Sequence, residues 1–475
     1  MLVHGTENQY VLFKHLYNIK TWILVFFLVR LIGITNPPLE VAHSWRQTTV
    51  TMVARNFFET DNSIFYPRID IGGEKTGITG MEFPALNYLI YLISCVFGYA
   101  HWYGRLINLF VSSIGIWFFY KLLRNFYDEK LSFYSSAILL FSVWFNYSRK
   151  IMPDTFSVSL VIIGLHFCVQ YLYNKHTWWH LAGYFVFALM GSLAKLPAGY
   201  LLILVPLFMY QNKTKTRALY LIFGSTAVVM MLCALYYYYW VPYLSRTFEF
   251  QHFFMGKSLF NGFIETVQNL DLVTEKFYLE ALQIIGFVTF LLGIALAIKK
   301  SERRLLIPFL ILFASFLIVI FKAGFVFYHH SYYIIPFAPA MALVAGYLIS
   351  EIKQPKLALF ILCLIVTENL LNKWNDYQIY PKDLKIETLE HEMNKYTKPT
   401  DLVLINSGNV PTPMYFAHRK GWVKSNGFIS IKENIEELKR RGLKAIVILK
   451  KTFGEDIKLD YPILGDSEWY CIYKI

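Results

Sequence analysis

Charge is what this sequence is short of. Asp, Glu, Lys and Arg make up 16% of its residues and apolar residues 56%. A soluble chain of 475 residues rarely has that balance. Cysteine is scarce too. Four of the five, Cys95, Cys168, Cys233 and Cys363, lie inside apolar runs, and only Cys471 lies near the end. None has the spacing of a zinc site or a disulfide framework, so they read as small buried hydrophobes. No basic amphipathic stretch with interleaved aromatics occurs in a polar segment, which excludes a nucleic-acid partner. No small-residue cleavage site follows the first apolar run, so that run reads as a retained span and not a signal peptide. No internal repeat or low-complexity stretch is evident.

What is present is a succession of apolar runs from Thr21 to Leu371, followed by about a hundred more polar residues. Aromatic residues, 18% of the chain, often stand near the ends of the runs, as interfacial anchors do. Candidate spans cover 20–36, 104–122, 131–148, 154–173, 179–195, 197–211, 218–241, 281–298, 305–321, 333–350 and 357–371. The net charge of +13 is concentrated in short loops between them. Lys14 and Lys20 precede the first span. Lys121, Arg124 and Lys130 follow the second, and Lys175 the fourth. Lys213, Lys215 and Arg217 follow the sixth, Lys299, Lys300, Arg303 and Arg304 the eighth, and Lys353 and Lys356 the tenth. With about eleven crossings all of these fall on one side, and the positive-inside rule makes it the cytoplasm. Residues 84–100 are apolar enough to cross, but a crossing there would flip every later loop. They are therefore assigned to a re-entrant or interfacial helix.

The expected architecture is an α-helical polytopic membrane protein with a small C-terminal α/β extracytoplasmic domain. Residues 1–19 form a cytoplasmic N-terminus, 20–371 the transmembrane domain with a long first outer loop at 37–103, and 372–475 the soluble domain outside. Within that domain 402–405, 445–450 and 469–475 read as strands. Residues 430–441 read as a helix capped by Ser430 and ended by Gly442. The tail has no convincing catalytic motif and reads as a lid or docking module. The location expected is a plasma membrane of the bacterial inner-membrane kind.

The candidates for chemistry are charges on the outer face. Residues 41–59 fit an interfacial helix on which His43, Arg46 and Gln47 share a face beside Trp45, downstream of Glu40. A face of this kind suits an anion or a sugar hydroxyl. Glu82, just before Pro84, is a carboxylate at a depth where it needs a partner or a metal. Arg105 opens a span, and its planar fork suits phosphate. Arg149 and Lys150 run against the positive-inside trend, and Asp154 follows them. Lys195 lies between two close-spaced spans. Lys322, His330 and Tyr333 mark another outer loop; His329 and His330 point different ways on any regular element, so they imply no shared metal. Cations collected against the topological trend suggest a phosphate headgroup held at the outer leaflet.

This arrangement resembles the GT-C fold glycosyltransferases that use polyprenyl-phosphate sugars, such as protein O-mannosyltransferases and lipid A aminoarabinose transferases. The matching pieces lie within residues 20–350. They are the long outer loop ending in Glu82, Phe83 and Pro84, the entry through Gly98 and Arg105, the Arg149–Asp154 element, the Lys195 turn, and the span holding His330, Tyr333 and Pro336. The resemblance implies a cage of helices under outer loops. It also implies attack by an acceptor nucleophile on the anomeric carbon of the donor, with polyprenyl phosphate leaving. The acceptor would be a surface glycan, a lipid or a protein. Arg46, Arg105, Arg149 and Lys195 are then the candidates for the donor phosphate. His43, Trp45, Gln47, Glu82, His330 and Tyr333 are those for substrate contact. The family's acidic residue ahead of an Ala-Arg element is missing here: Ala54 and Arg55 are present, but Arg46 and Gln47 hold the expected place. Glu40 and Asp154 are the candidate bases, with Glu82 and His43 as alternatives. No cofactor is required; a divalent cation at Glu82 is compatible but not demanded. The rival reading is a transporter or flippase of an anionic lipid or metabolite, against which stand the missing inverted repeat and charges that sit at one face instead of the midplane.

Overall fold

The computed structural model describes residues 17–173, 176–211, 216–254 and 256–475. Lys14, Lys175, Lys213 and Lys215 of the basic loops, and most of the expected N-terminal segment, lie outside them. The chain forms two compact units. One comprises residues 1–34, 105–236 and 254–374, of which the described residues are largely helical; the other comprises 35–104, 237–253 and 375–475. The first outer loop therefore clusters with the tail, a grouping different from the boundary expected at 371 and 372.

Six helices among the described residues are long and apolar enough to cross a membrane: Tyr103–Leu123, Pro153–Tyr173, Arg217–Thr247, Arg303–Ala323, Ser331–Ser350 and Pro355–Asn372. One further helix pair, Leu270–Ala281 and Gln283–Lys299, is bent by 100°. The other expected spans are short or broken. The first is not 20–36: its α-helix is Ile19–Arg30, capped by Asn18 accepting from the Lys20 N–H, and the chain then turns through Gly33 at φ 69°. The third is not continuous. Asp128 caps Glu129–Leu140, the helix stops at Phe141, and Ser142 caps a new short helix, Val143–Tyr147. The sixth begins as a 3₁₀ helix at Leu196–Ile203 and becomes α at Leu204–Gln211. Non-α backbone at such depth is tolerated only where protein covers it.

The second unit is built on a five-stranded sheet in the order β2-β1-β3-β5-β4. Its strands are β1 Leu402–Ile405, β2 Lys420–Val423, β3 Leu443–Leu449, β4 Ile463–Asp466 and β5 Tyr470–Lys474. β1 runs parallel to β2 and β3, while β5 is antiparallel to β3 and β4. Three strands fall where the sequence places them; β2 and β4 were not expected. The alternation along β1 and β3 sends Val403, Ile405, Ala445, Val447 and Leu449 to one face. Leu404, Ile446 and Ile448 go to the other, where Ile435 and Leu438 of the Lys432–Arg440 helix cover them. That helix has no cap from Ser430, whose hydroxyl instead donates to the Asn426 carbonyl of the preceding turn.

The first face is covered by the outer loop. The Ser44–Glu59 helix was expected at a membrane interface, but it buries Met52, Val53 and Phe57 in one core with Val403, Met414 and Val447. Arg55 donates to Asp70 at 3.0 Å and to the Tyr415 carbonyl at 2.9 Å, so its charge is paired inside this core. The loop also caps the sheet edge: Gly73 N–H donates to the Gly421 carbonyl and Gly421 N–H to that of Asp70. Gly73 sits at φ +64° with the Trp422 indole nitrogen 2.3 Å from where a Cβ would stand, so only glycine fits. The Ala85–Phe97 helix packs Tyr88 and Tyr91 on Phe57 and sends the Asn87 amide to the Val50 carbonyl. Its 13 residues span about 20 Å, short of a bilayer core.

Two outcomes follow. Phe57→Ala should cost about 3–5 kcal/mol and expose the tail sheet to limited proteolysis, although residue 57 lies far from the tail in sequence. The second concerns His418, whose ring nitrogens lie 2.9 Å from Glu59 and 2.8 Å from Glu390. The hydrogen bond with Glu59 raises its pKa above the ordinary 6.5, with Glu390 adding and burial and Arg55 opposing. Burial alone would raise Glu59, but the His418 hydrogen bond and charge bring it below 4.5. The His418 contribution is complete below its unfolded value and lost as pH rises through the raised folded one. The Glu59 contribution is lost as pH falls through its lowered one. The hydrogen-exchange protection factor around 412–418, corrected for the intrinsic base-catalysed rate, should therefore fall above neutral pH, and His418→Gln should flatten that dependence; a wild-type protection factor that does not change with pH would refute the clamp.

Candidate functional site

The buried basic side chains of the helical unit include Arg30, Arg105, Arg149, Lys150 and Lys195. Asp154 is the single buried carboxylate of that unit among the described residues. Burying a cation is costly unless the fold supplies partners, and the broken helices supply them. After Arg30 the chain leaves helical geometry, so its carbonyls point away from any helix ladder. The Gly33 carbonyl accepts from Arg149 at 2.8 Å and the Ile34 carbonyl from Arg105 at 3.2 Å. Arg30 itself donates to Ser148 and to the Phe26 carbonyl and lies over the Phe145 ring.

The turn that carries Arg149, Lys150 and Asp154 is held by one amide. The Asn108 side-chain nitrogen lies 2.8 Å from the Lys150 carbonyl, 2.9 Å from that of Tyr147 and 3.2 Å from that of Met152. Its oxygen accepts from Ser112 at 3.0 Å and Thr155 at 3.1 Å. Asp154, in the first turn of its helix, lies 3.3 Å from the Lys195 ammonium, and its Oδ2 has no hydrogen-bond partner among the described residues. Lys195 ends the Trp178–Ala194 helix in extended backbone, with its ammonium 5.1 Å from the Tyr332 ring and 5.6 Å from that of Tyr333. His330 stacks on Tyr332, and Tyr147 bonds Ser331. The structure thus brings Arg105, Arg149, Asp154, Lys195, His330 and Tyr333 into one unit. Lys322 serves a local purpose, donating to the Lys257 carbonyl.

The second unit holds the remaining candidates. Glu40 and Gln47 are fully buried, with the Gln47 amide 3.5 Å from the Glu40 carboxylate. Arg46 is ion-paired with Glu82 and lies over the Phe253 ring, so the expectation of Arg46 as a phosphate ligand meets a cation already engaged by a carboxylate. His43 does not share a helical face with Arg46 and Gln47. It stands ahead of the helix in left-handed backbone at φ 62°, and its carbonyl accepts from both of their N–H groups. Trp45 is half-buried, its carbonyl taken by Thr48 and Thr49. Among the described residues no three His, Cys, Asp or Glu side chains converge for a metal, and Glu82 has Arg46 as its partner.

Sequence reasoning missed Arg30, Asn108 and His252. An arginine inside an apolar run is itself a signal; Asn108 offered only polarity in a span. His252 has its pKa lowered to about 4 by burial and by the neighbouring Arg46 charge, so it is neutral at physiological pH.

A bundle with broken helices, buried cations and a sheet domain assembled with the first outer loop is the GT-C fold of multi-pass membrane proteins. The comparisons agree. The family model for dolichyl-phosphate-mannose-protein mannosyltransferase matches residues 82–240, a third of the chain that includes Glu82, Arg105, Arg149, Asp154 and Lys195. No curated protein sequence matches. Among solved structures, ArnT from Cupriavidus metallidurans in the apo state superposes with a TM-score of 0.60 at 11% identity, over 96% of this chain and 98% of that one. The same protein bound to undecaprenyl phosphate gives 0.57 at 10% identity, over 95% and 97%. The oligosaccharyltransferase AglB from Archaeoglobus fulgidus, in complex with an inhibitory peptide and a dolichol-phosphate, gives 0.51 at 11% identity, over 90% and 69%. The resemblance to GT-C glycosyltransferases read from the sequence holds.

Asn108→Leu tests the scaffold of the cluster. It orphans buried carbonyls at about 1–3 kcal/mol each and should lower the thermal midpoint of the solubilised protein, while Asn125→Leu, at an exposed side chain, should not. Equal midpoints for the two would show that Asn108 does not hold the turn.

Proposed function

We propose that the chain is an integral-membrane glycosyltransferase moving a single sugar from a polyprenyl-phosphate donor to an acceptor outside the cytoplasm, a surface glycan, lipid or protein. The observation that carries this reading is the set of buried cations, Arg30, Arg105, Arg149, Lys150 and Lys195, in a unit with one buried carboxylate among the described residues. The fold shared with a protein solved with undecaprenyl phosphate supports it.

In this reaction an acceptor hydroxyl attacks the anomeric carbon. Its proton passes to a carboxylate, the bond from carbon to phosphate oxygen breaks, and the electron pair leaves on polyprenyl phosphate. The leaving group carries its charge already, so cations aimed at it do the larger work and a protonating acid is less needed. Arg105 and Arg149 offer planar forks to phosphate oxygens and Lys195 a point charge. Asp154, 3.3 Å from Lys195, suits the orienting of that ammonium as well as the work of a base. Glu40 is the alternative base. Each unit contains one of the two, so single substitutions separate them. Tyr333 and His330 are the expected sugar contacts in the helical unit, and Trp45, Gln47 and Glu82 those in the other. The N-terminus is assigned to the cytoplasm and the tail to the outside of a bacterial-type inner membrane.

The test is transfer from a labelled polyprenyl-phosphate sugar pool in right-side-out and inverted vesicles, with and without a chelator. Arg105→Ala should lower turnover about 10²–10³-fold, and loss of the true base, Glu40→Gln or Asp154→Asn, about 10²–10⁴-fold. If Asp154 only orients Lys195, Asp154→Asn and Lys195→Ala should give similar, non-additive losses. An unchanged rate with the chelator would remove any need for a divalent cation. Movement of the intact donor without cleavage would support the transporter reading and overturn this one.

A further inference from the structure

A cavity lies at the other end of the helical unit from the cation cluster. The Tyr103–Leu123 helix carries Arg105 near its start. Near its end Leu122 and Leu123 line a cavity of about 400 Å³. The two ends are about 25 Å apart along the helix axis, so this cavity is separate from the cation cluster described above. It falls in the range of small-ligand sites. Its walls are apolar, with Ile162, Leu207, Phe208, Leu312 and Ala340 among them.

Three polar side chains at its rim are engaged in hydrogen bonds. Tyr127 hydroxyl donates to the Arg304 carbonyl, Tyr173 hydroxyl to that of Phe208, and Asn125 accepts from Gln170. The charged group of the lining is the Arg304 guanidinium. It lines the cavity, is exposed, and makes no ion pair among the described residues. It sits in the first turn of its helix next to Arg303, close to Lys299 and Lys300, with Glu302 as the neighbouring carboxylate. A hydrocarbon-lined cavity with a cation at its mouth fits an amphiphile: a chain inside and an anionic head outside. The basic loops on this face add long-range attraction of about 1 kcal/mol per residue near an anionic leaflet.

We infer that the cavity holds an acyl chain of an anionic glycerophospholipid whose headgroup phosphate rests on Arg304. This site is independent of the proposed transfer reaction. The chain inside gains the hydrophobic burial that a water-filled apolar cavity would forgo, and the guanidinium supplies a charge-assisted contact to phosphate.

Native mass spectrometry of the full chain in detergent, titrated with phosphatidylglycerol or phosphatidylcholine of the same acyl chains, tests it. Phosphatidylglycerol should bind about tenfold tighter, the factor expected of one charged hydrogen-bonded contact. Arg304→Glu should erase the preference. Leu207→Trp, which fills the cavity from a half-buried position, should weaken both lipids. Arg304 is exposed, so its substitution leaves the packing intact and decides the matter alone if Leu207→Trp fails to fold. Equal binding of the two lipids by the wild type, or an unchanged preference in Arg304→Glu, would overturn the inference. So would a polyprenyl phosphate that competes phosphatidylglycerol off the protein.

Discussion

Buried positive charge is the constraint on which the helical unit depends. Arg30, Arg105, Arg149, Lys150 and Lys195 are withdrawn from water in a bundle of low polarity, and each would be prohibitive without local compensation. The fold compensates with backbone. Carbonyls that a continuous helix would use internally are released where the helices break, and guanidinium groups take them up. Gly33 and Ile34 do this for Arg149 and Arg105. The breaks are therefore part of the electrostatics.

The same logic explains Asn108. The residues from Ser148 to Met152, between two helices, leave helical geometry inside protein, and carbonyls there need donors. A single amide meets this need and also binds Ser112 and Thr155, so the position of Lys150 and Asp154 is inherited from a side chain in another helix. Site geometry of this kind is precise because it rests on regular elements and a satisfied network.

Much of this was legible in the sequence. Apolar periodicity located most helices, because a bilayer leaves few alternatives to them. The central strands β1, β3 and β5 announced themselves as runs of β-branched and aromatic residues. What was not legible depends on distant partners. β2 contains Lys420 and Gly421, and β4 contains Gly465 and Asp466, so neither looks like a strand; each is completed by its neighbours. The Ser44–Glu59 helix looked interfacial because its sequence is mixed, and only the sheet 350 residues on explains why Met52 and Phe57 are buried. His43 was counted on a helical face because spacing says nothing about a left-handed residue just ahead of the helix. Arg46 and Glu82 were read as separate ligands; nothing in their spacing told that they pair. Cations at helix starts were found by their side of the membrane. Arg30, at a helix end within an apolar run, was overlooked because it was counted as span.

The difference between the two charged clusters bears on their roles. In the second unit the Arg46 guanidinium already meets the Glu82 carboxylate and the face of Phe253, and His252 is kept neutral beside it. An engaged cation with a fixed carboxylate gives up little to an incoming phosphate, but it holds a loop and offers oxygen and nitrogen edges to hydroxyl groups. In the helical unit the Ile34 and Gly33 carbonyls accept from Arg105 and Arg149 and fix how the two guanidinium groups are turned. A fork held in one orientation is what bidentate contact with phosphate requires. On the proposed reading, the helical unit therefore suits a donor phosphate, and Arg46 with Glu82 suits a hydroxyl-bearing partner.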